Sequence, residues 1–396
     1  MSTPIARFAV LLVLDGWGVA NPGPGNAITL SNPTNFNRLW ASYPHTTLSA
    51  SGEGVGLPHG EPGNTETGHL NLGAGRIVYQ DLPRINLAIA DGNFFKNEAF
   101  LAAIEHAKKN NSKLHLMGLV GAGGVHSSPD HLYALIRFAR EQNFSRLFIH
   151  VFTDGRDSPP DASPSYIKKL EEVIAKESTG KIATIMGRYF AMDRDYRWER
   201  TQEAYLALTK GEGQKASSAL AAIENSHRNG KTDEFIEPTV ITGQDLKPIA
   251  IVEKNDAVIF FNFRIDRPRQ LAKAFVLDDF ESEAQKGWDF DPYMVKYYKK
   301  HVIDIPTRPV FKRGPKIPNV YFVTMTQYTK TINAHVAFPP QIIGLPLSRI
   351  LSERGLRQLK ASESEKERFV TFYFNGQRDI PFDGEERLII ASPNVP

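Results

Sequence analysis

The chain has 396 residues, 41% hydrophobic and 23% charged, and its 47 basic side chains against 44 acidic ones leave a net charge of +3. That length favours two domains over one. The charge excess is too small to argue for nucleic acid or a membrane surface as partner, and without cysteine the chain has neither disulfides nor thiolate metal sites.

The first apolar run, residues 8–14, ends at Asp15. It is too short to span a bilayer, and no small-residue cleavage site follows it. It is expected to be a buried strand, and the chain is expected to be cytoplasmic. Further short apolar runs at 114–119, 147–153, 182–186, 257–261, 320–325, 370–374 and 388–391 also read as buried strands. Helical spacing lies between several of them, at 130–142, 164–175 and 198–210. Strands alternating with helices predict an α/β fold with mostly parallel sheets, in which ligands gather at the carboxyl ends of the strands.

Residues 50–78 carry eight glycines in 29 positions, which suits neither an ordinary helix nor a strand. Within them Gly63-Asn64-Thr65 sets a hydroxyl just after a tight turn, where backbone N–H groups can receive phosphate oxygens. A threonine hydroxyl needs a base or a metal ion to become a nucleophile. Asp15, at the end of the first run, is the natural first carboxylate ligand. The plainer reading is a glycine-rich loop with Thr65 as a helix N-cap.

Four clusters follow apolar runs and present cations or their partners: Gly123-Gly124-Val125-His126-Ser127, His150-Val151-Phe152-Thr153-Asp154-Gly155-Arg156-Asp157, Gly187-Arg188-Tyr189-Phe190-Ala191-Met192-Asp193-Arg194-Asp195, and Asn262-Phe263-Arg264-Ile265-Asp266-Arg267. Guanidinium forks match phosphate and carboxylate geometry, so four such clusters at strand ends favour an anion site over scattered surface ion pairs. His126 reads either as a satisfied buried histidine or as a ligand or proton-transfer group. A basic, aromatic, proline-punctuated stretch at 289–318 reads as a solvated insertion, with contact to a polyanion as the alternative. Lys366, flanked by acids, reads as a solvated pair or as a point charge for a transferring phosphoryl group.

The strings LDGWG, ASGEGVGLPHG, GNTETGHLNLGAGRIVYQDLPRI, GGVHS, FTDGRD, GRYFAMDRDYRWERTQEAY, FFNFRIDRPRQL and SESEKERFVTFYFNG resemble the cofactor-independent phosphoglycerate mutases, in that family's order. The resemblance implies an alkaline-phosphatase-like domain, residues 1–80 and 317–396, interrupted at 81–316 by a second α/β domain that binds the substrate. It implies interconversion of 3-phosphoglycerate and 2-phosphoglycerate through a phosphoenzyme, with two divalent ions, manganese being the expected metal. It maps the nucleophile and a metal ligand onto Thr65, another metal ligand onto Asp15, and substrate contacts onto His126, Arg156, Asp157, Arg188, Arg194, Arg264, Arg267 and Lys366. The expected partner is a small phosphoglycerate, with neither membrane nor nucleic acid, and the expected state is a monomer.

The sequence departs from the family pattern in four places. Thr65 stands where the family has serine, Gly121-Ala122 where it has Ser-Asp, and Phe369 where it has histidine. The final ASPNVP resembles the start of a family segment that carries further Asp and His metal ligands, and the last histidine here is His335. The chain is therefore expected to be truncated at its C-terminus and to need a further segment for activity. The competing expectations are a phosphatase or phosphotransferase of the same fold and a metal-free phosphoglycerate-binding protein.

Overall fold

The structure, a computed structural model, describes residues 8–284 and 308–393. The chain divides into two compact units, one of residues 1–80 with 342–396 and one of residues 81–341.

The larger unit is built on an eight-stranded sheet: β1 (Leu114–Val120), β2 (Leu147–Thr153), β3 (Lys181–Gly187), β4 (Gln214–Ala216), β5 (Thr239–Ile241), β6 (Ala257–Phe260), β7 (Tyr321–Thr326) and β8 (His335–Phe338), in the order β4-β5-β3-β2-β1-β6-β7-β8. Every pairing is parallel except β3 with β5. The central strands β1, β2, β3, β6 and β7 are largely apolar runs because both of their faces are covered, while the short β4 is polar and mostly exposed. Along β6, Ala257 and Ile259 enter one core while Val258 and Phe260 enter the other. That alternation is the two-residue period of a strand divided between two buried faces. Helices Glu98–Lys109, Pro129–Glu141 and Ser163–Glu177 contribute Phe100, Leu135 and Ile167 to the first core, and Trp198–Lys210 and Arg269–Val276 contribute Trp198 and Leu271 to the second. The α/β class with a mostly parallel sheet is the one expected.

The second boundary differs from the one expected at 316/317. β7 and β8 continue the sheet beyond β6, so the larger unit runs to residue 341. Ladder hydrogen bonds and the buried faces of Phe322 and Val323 tie this segment to its neighbours more strongly than any sequence break separates it. Most of the basic stretch 289–318 lies outside the described residues. In its described end Phe311 is buried, Arg313 donates to the carbonyls of Ala274 and Leu277, and Lys316 pairs with Asp278, which is packing rather than a free cationic face.

The smaller unit has a two-stranded parallel pair, β9 (Gln358–Glu363) with β10 (Glu385–Ile390), helices Thr34–Ser42, Thr65–Ala74 and Leu347–Glu353, and a π-helix Phe369–Tyr373. Three expectations fail here. Residues 8–14 form no strand and are exposed, Phe8 at 79%, because no described strand pairs with them. Residues 370–374 wind into the π-helix, where Phe374 N–H donates to the Phe369 carbonyl and buries Phe369, Thr371 and Phe372 in a pattern no strand could make. Residues 388–391 lie largely in a strand, as expected, but Leu388 and Ile390 are exposed because, among the described residues, β10 pairs only with β9. Among the described residues no helix is long and apolar enough to cross a membrane.

Candidate active site

Two groups of functional side chains form, one in each unit. In the smaller unit the group is set by the start of the helix Thr65–Ala74. Asn64 is its N-cap and accepts from Thr67 N–H at 2.9 Å, so Thr65 occupies the first helical position with its hydroxyl free of capping duty. The turn before it admits only glycine at 63, since a Cβ there would lie 1.7 Å from the Ala50 carbonyl oxygen. Thr65 Oγ1 donates to Asp15 Oδ2 at 2.9 Å, and Lys366 Nζ holds the same carboxylate oxygen at 2.5 Å. The hydrogen bond from Lys366 is the largest cause of an Asp15 pKa below the usual carboxylate value; burial opposes it and the Thr65 bond assists. Asp15 is thus fixed in its charged, accepting form. His69, one turn along the helix, approaches Thr65 with Nδ1 3.2 Å from Oγ1.

In the larger unit the four loops after β1, β2, β3 and β6 bring the remaining residues together. These strands are neighbours and parallel, with Val120 opposite Thr153 and Thr153 opposite Gly187, so their carboxyl ends open on one edge. Arg188 is buried and donates from Nη1 to Asp154 Oδ1 at 2.6 Å and Asp157 Oδ2 at 2.5 Å. Burial alone would lower its pKa, but the bonds to Asp157 and Asp154 outweigh it and the net shift is upward. Asp266 accepts from Arg194 at 2.7 Å and from Arg264 at 3.1 Å. Arg156 lies 3.6 Å from Glu234. Arg267 is lowered to about 10 by burial and by the neighbouring Arg194 and Arg188, and its Nε is buried with no hydrogen-bond partner among the described residues. Cations crowded to this degree gain when an anion enters. A small cleft of about 110 Å³ opens among them, lined by Arg156, Arg188, Arg194 and Arg267 together with Arg197 and Arg200.

His126 is 3% exposed, 3.6 Å from Asp157 and 3.7 Å from Asp266, and its Nδ1 has no hydrogen-bond partner among the described residues. Burial first, and then the nearby arginines, lower it to about 4 despite Asp266, so it is neutral at pH 7. It is not a satisfied core histidine. A neutral imidazole with a bare nitrogen can exchange a hydrogen bond or proton with a substrate hydroxyl.

All ten residues singled out by sequence therefore fall into these two groups. Asp15, Thr65 and Lys366 meet in the smaller unit, and His126, Arg156, Asp157, Arg188, Arg194, Arg264 and Arg267 meet in the larger. Sequence reasoning missed His69, whose spacing of four from Thr65 was the available signal. It also gave no individual role to Asp154, Glu234 or Asp266, whose pairings arise only when the loops converge.

The family's metal pair is not matched by the described residues. Asp15 and Thr65 offer two oxygens, but among the described residues no group of three or more His, Asp or Glu side chains could hold an ion.

Residues 85–330 match the family described as the BPG-independent PGAM N-terminus. The chain is 50% identical over 390 residues to a 2,3-bisphosphoglycerate-independent phosphoglycerate mutase of Chloroflexus aggregans, covering 98% of this chain and 71% of that one. It is 48% identical over 395 residues to the enzyme of the same name from Moorella thermoacetica, again covering 71% of it. Among solved structures it is similar to Leishmania mexicana phosphoglycerate mutase, crystallised at low cobalt concentration, with a TM-score of 0.60 and 29% identity, spanning 91% of this chain and 63% of that one.

Proposed function

Because the chain belongs to the family of 2,3-bisphosphoglycerate-independent phosphoglycerate mutases, isomerases that interconvert 3-phosphoglycerate and 2-phosphoglycerate, we propose that Thr65 is the residue through which it moves the phosphoryl group. The observation that carries this reading is the Thr65 hydroxyl at a helix start, donating to an Asp15 carboxylate that Lys366 keeps charged. Oγ1 attacks phosphorus, the bond to the glycerate oxygen breaks, and the threonine proton ends on that departing oxygen. The glycerate then presents its other hydroxyl, the phosphothreonine bond breaks, and the isomer forms. Asp15 orients the hydroxyl; with its pKa lowered it is too weak a base to keep the proton. The arginine group holds carboxylate and phosphate, while Asp157 and His126 face the hydroxyls.

Manganese is the proposed ion, with Asp15 and Thr65 as two of its ligands. The described residues do not complete that site, and no step above is routed through it. The chain is further proposed to be a cytoplasmic monomer, the second point open to sedimentation analysis.

The test is incubation with 3-phosphoglycerate and manganese, followed by peptide mass mapping and product analysis. Phosphothreonine is expected at position 65, retained as phosphoserine in Thr65→Ser and absent in Thr65→Ala. Undiminished isomerisation by Thr65→Ala would overturn the assignment. Free phosphate in place of the isomer would favour the same-fold phosphatase reading.

A further inference from the structure

We propose that His69 is a catalytic residue whose Nδ1–H hydrogen-bonds the reacting oxygen of Thr65 and stabilises that oxygen as the phosphoryl group leaves it. This rests on the role of Thr65 proposed above.

The hydrogen positions follow from what each partner can do. His69 Nδ1 lies 2.9 Å from the Thr65 carbonyl oxygen and 3.2 Å from Thr65 Oγ1. A carbonyl oxygen only accepts, so Nδ1 carries the hydrogen. The single hydroxyl hydrogen of Thr65 is donated to Asp15 Oδ2 at 2.9 Å. Oγ1 therefore meets His69 through a lone pair, and the imidazole N–H is shared between two oxygens of the same residue.

The donor is rigid. Residues four apart stack on one helix face, which places the imidazole over Thr65. His69 is 5% exposed, and the aromatic ring of Phe369 lies 5.8 Å from its imidazole, centroid to centroid. A bond of 3.2 Å is weak while Oγ1 is neutral. It strengthens when Oγ1 gains negative charge, which is the condition for a donor that favours the transition state over the ground state.

That charge appears when the phosphothreonine discharges. The P–Oγ1 bond breaks with its electron pair left on Oγ1, the new bond forms from phosphorus to a glycerate hydroxyl oxygen, and the proton lost by that hydroxyl ends on Oγ1. Asp15 contacts the threonine oxygen and Lys366 contacts Asp15, while His69 brings an N–H to the leaving oxygen from within the same helix.

The experiment loads the full chain with phosphoryl from radiolabelled 3-phosphoglycerate and manganese, then chases with unlabelled glycerate and follows the label on Thr65. Wild type, His69→Leu and His69→Asn are compared, since asparagine retains an N–H donor on a shorter side chain. Discharge is expected to slow roughly tenfold to a hundredfold in His69→Leu, with phosphothreonine accumulating, and to recover in His69→Asn. Should His69→Leu fail to fold, thienylalanine at position 69 keeps the ring and removes the donor. Equal discharge in wild type and a folded donorless variant overturns the inference, as does a folded His69→Asn as slow as the donorless form. Absence of label from wild-type Thr65 instead overturns the Thr65 reading, and this inference with it.

Discussion

The helix that carries Thr65 contains two glycines with opposite surroundings, and their substitution by alanine separates intrinsic helix preference from packing. A Cβ built on Gly68 meets none of the described residues within 4 Å, while one on Gly73 would lie 2.0 Å from the Phe374 carbonyl oxygen and 2.7 Å from its carbon. Alanine is worth about 1 kcal/mol over glycine in a helix interior, so Gly68→Ala should stabilise the helix by up to that amount. Gly73→Ala gains the same preference but must open the contact by about 1 Å, an overpacking cost of roughly 1–3 kcal/mol. Phe374 cannot give way freely, because its N–H is bonded to Phe369 at 3.1 Å within the π-helix. The two variants should thus differ by roughly 1–3 kcal/mol in local stability. Hydrogen exchange of the peptide covering residues 65–74 reads this directly, as roughly tenfold to a hundredfold faster exchange in Gly73→Ala. If phosphoryl transfer runs through Thr65, the displaced helix should also lose activity on the order of a hundredfold. Gly73→Ala protected as well as Gly68→Ala would refute the reasoning.

Two further outcomes follow from the larger unit. Arg188→Met should leave buried Asp154 without its cation and cost about 3–5 kcal/mol, measured by urea denaturation; a loss below about 1 kcal/mol would show the pair to be dispensable. His131, fully buried and lowered to about 3 by desolvation, stays neutral when folded but takes a proton when unfolded below pH 6.5. The unfolded state then binds more protons, so stability falls as pH drops from 6.5 toward 3. His131→Phe should flatten that decline by about 1.4 kcal/mol per pH unit, and an unchanged slope would contradict the assignment.

Five strands of the larger unit, β1, β2, β3, β6 and β7, were legible because their largely apolar runs are buried on both faces, whereas the short strands β4, β5 and β8 carry no such run and were not anticipated. Residues 8–14 have the same composition and form no strand, since a run of apolar residues does not state whether a neighbour will pair with it. Residues 370–374 form an apolar run like that of a buried strand yet become a π-helix, against which the Thr65 helix packs through Gly73. Local pattern loses there to a tertiary contact that has no signature within either segment. The arginine loops were legible for a different reason. Side-chain chemistry is local, and an α/β sheet converts sequence position at a strand end into spatial position at one edge. What remained hidden was pairing: that Asp154 belongs to Arg188, or Asp266 to Arg194 and Arg264, depends on loop convergence across separations of 34 and 72 residues in the cases of Arg188 and Arg194.

Those pairings explain how so many cations can be held ready for an anion. Arg188 is locked from below by two carboxylates and is almost inaccessible, whereas Arg156, Arg194 and Arg264 are about half exposed. The acids neutralise most of the mutual repulsion while the site is empty and leave the exposed guanidinium edges open. If phosphoglycerate binds in this cleft as proposed, its anionic groups meet Arg267, whose pKa is lowered first by burial and then by the neighbouring Arg194 and Arg188. Binding should consequently depend on salt through the exposed arginines and hardly at all through Arg188. Titration of phosphoglycerate at rising ionic strength into wild type and Arg264→Gln checks this, with a shallower salt slope expected in the variant and an unchanged slope counting against the division of labour.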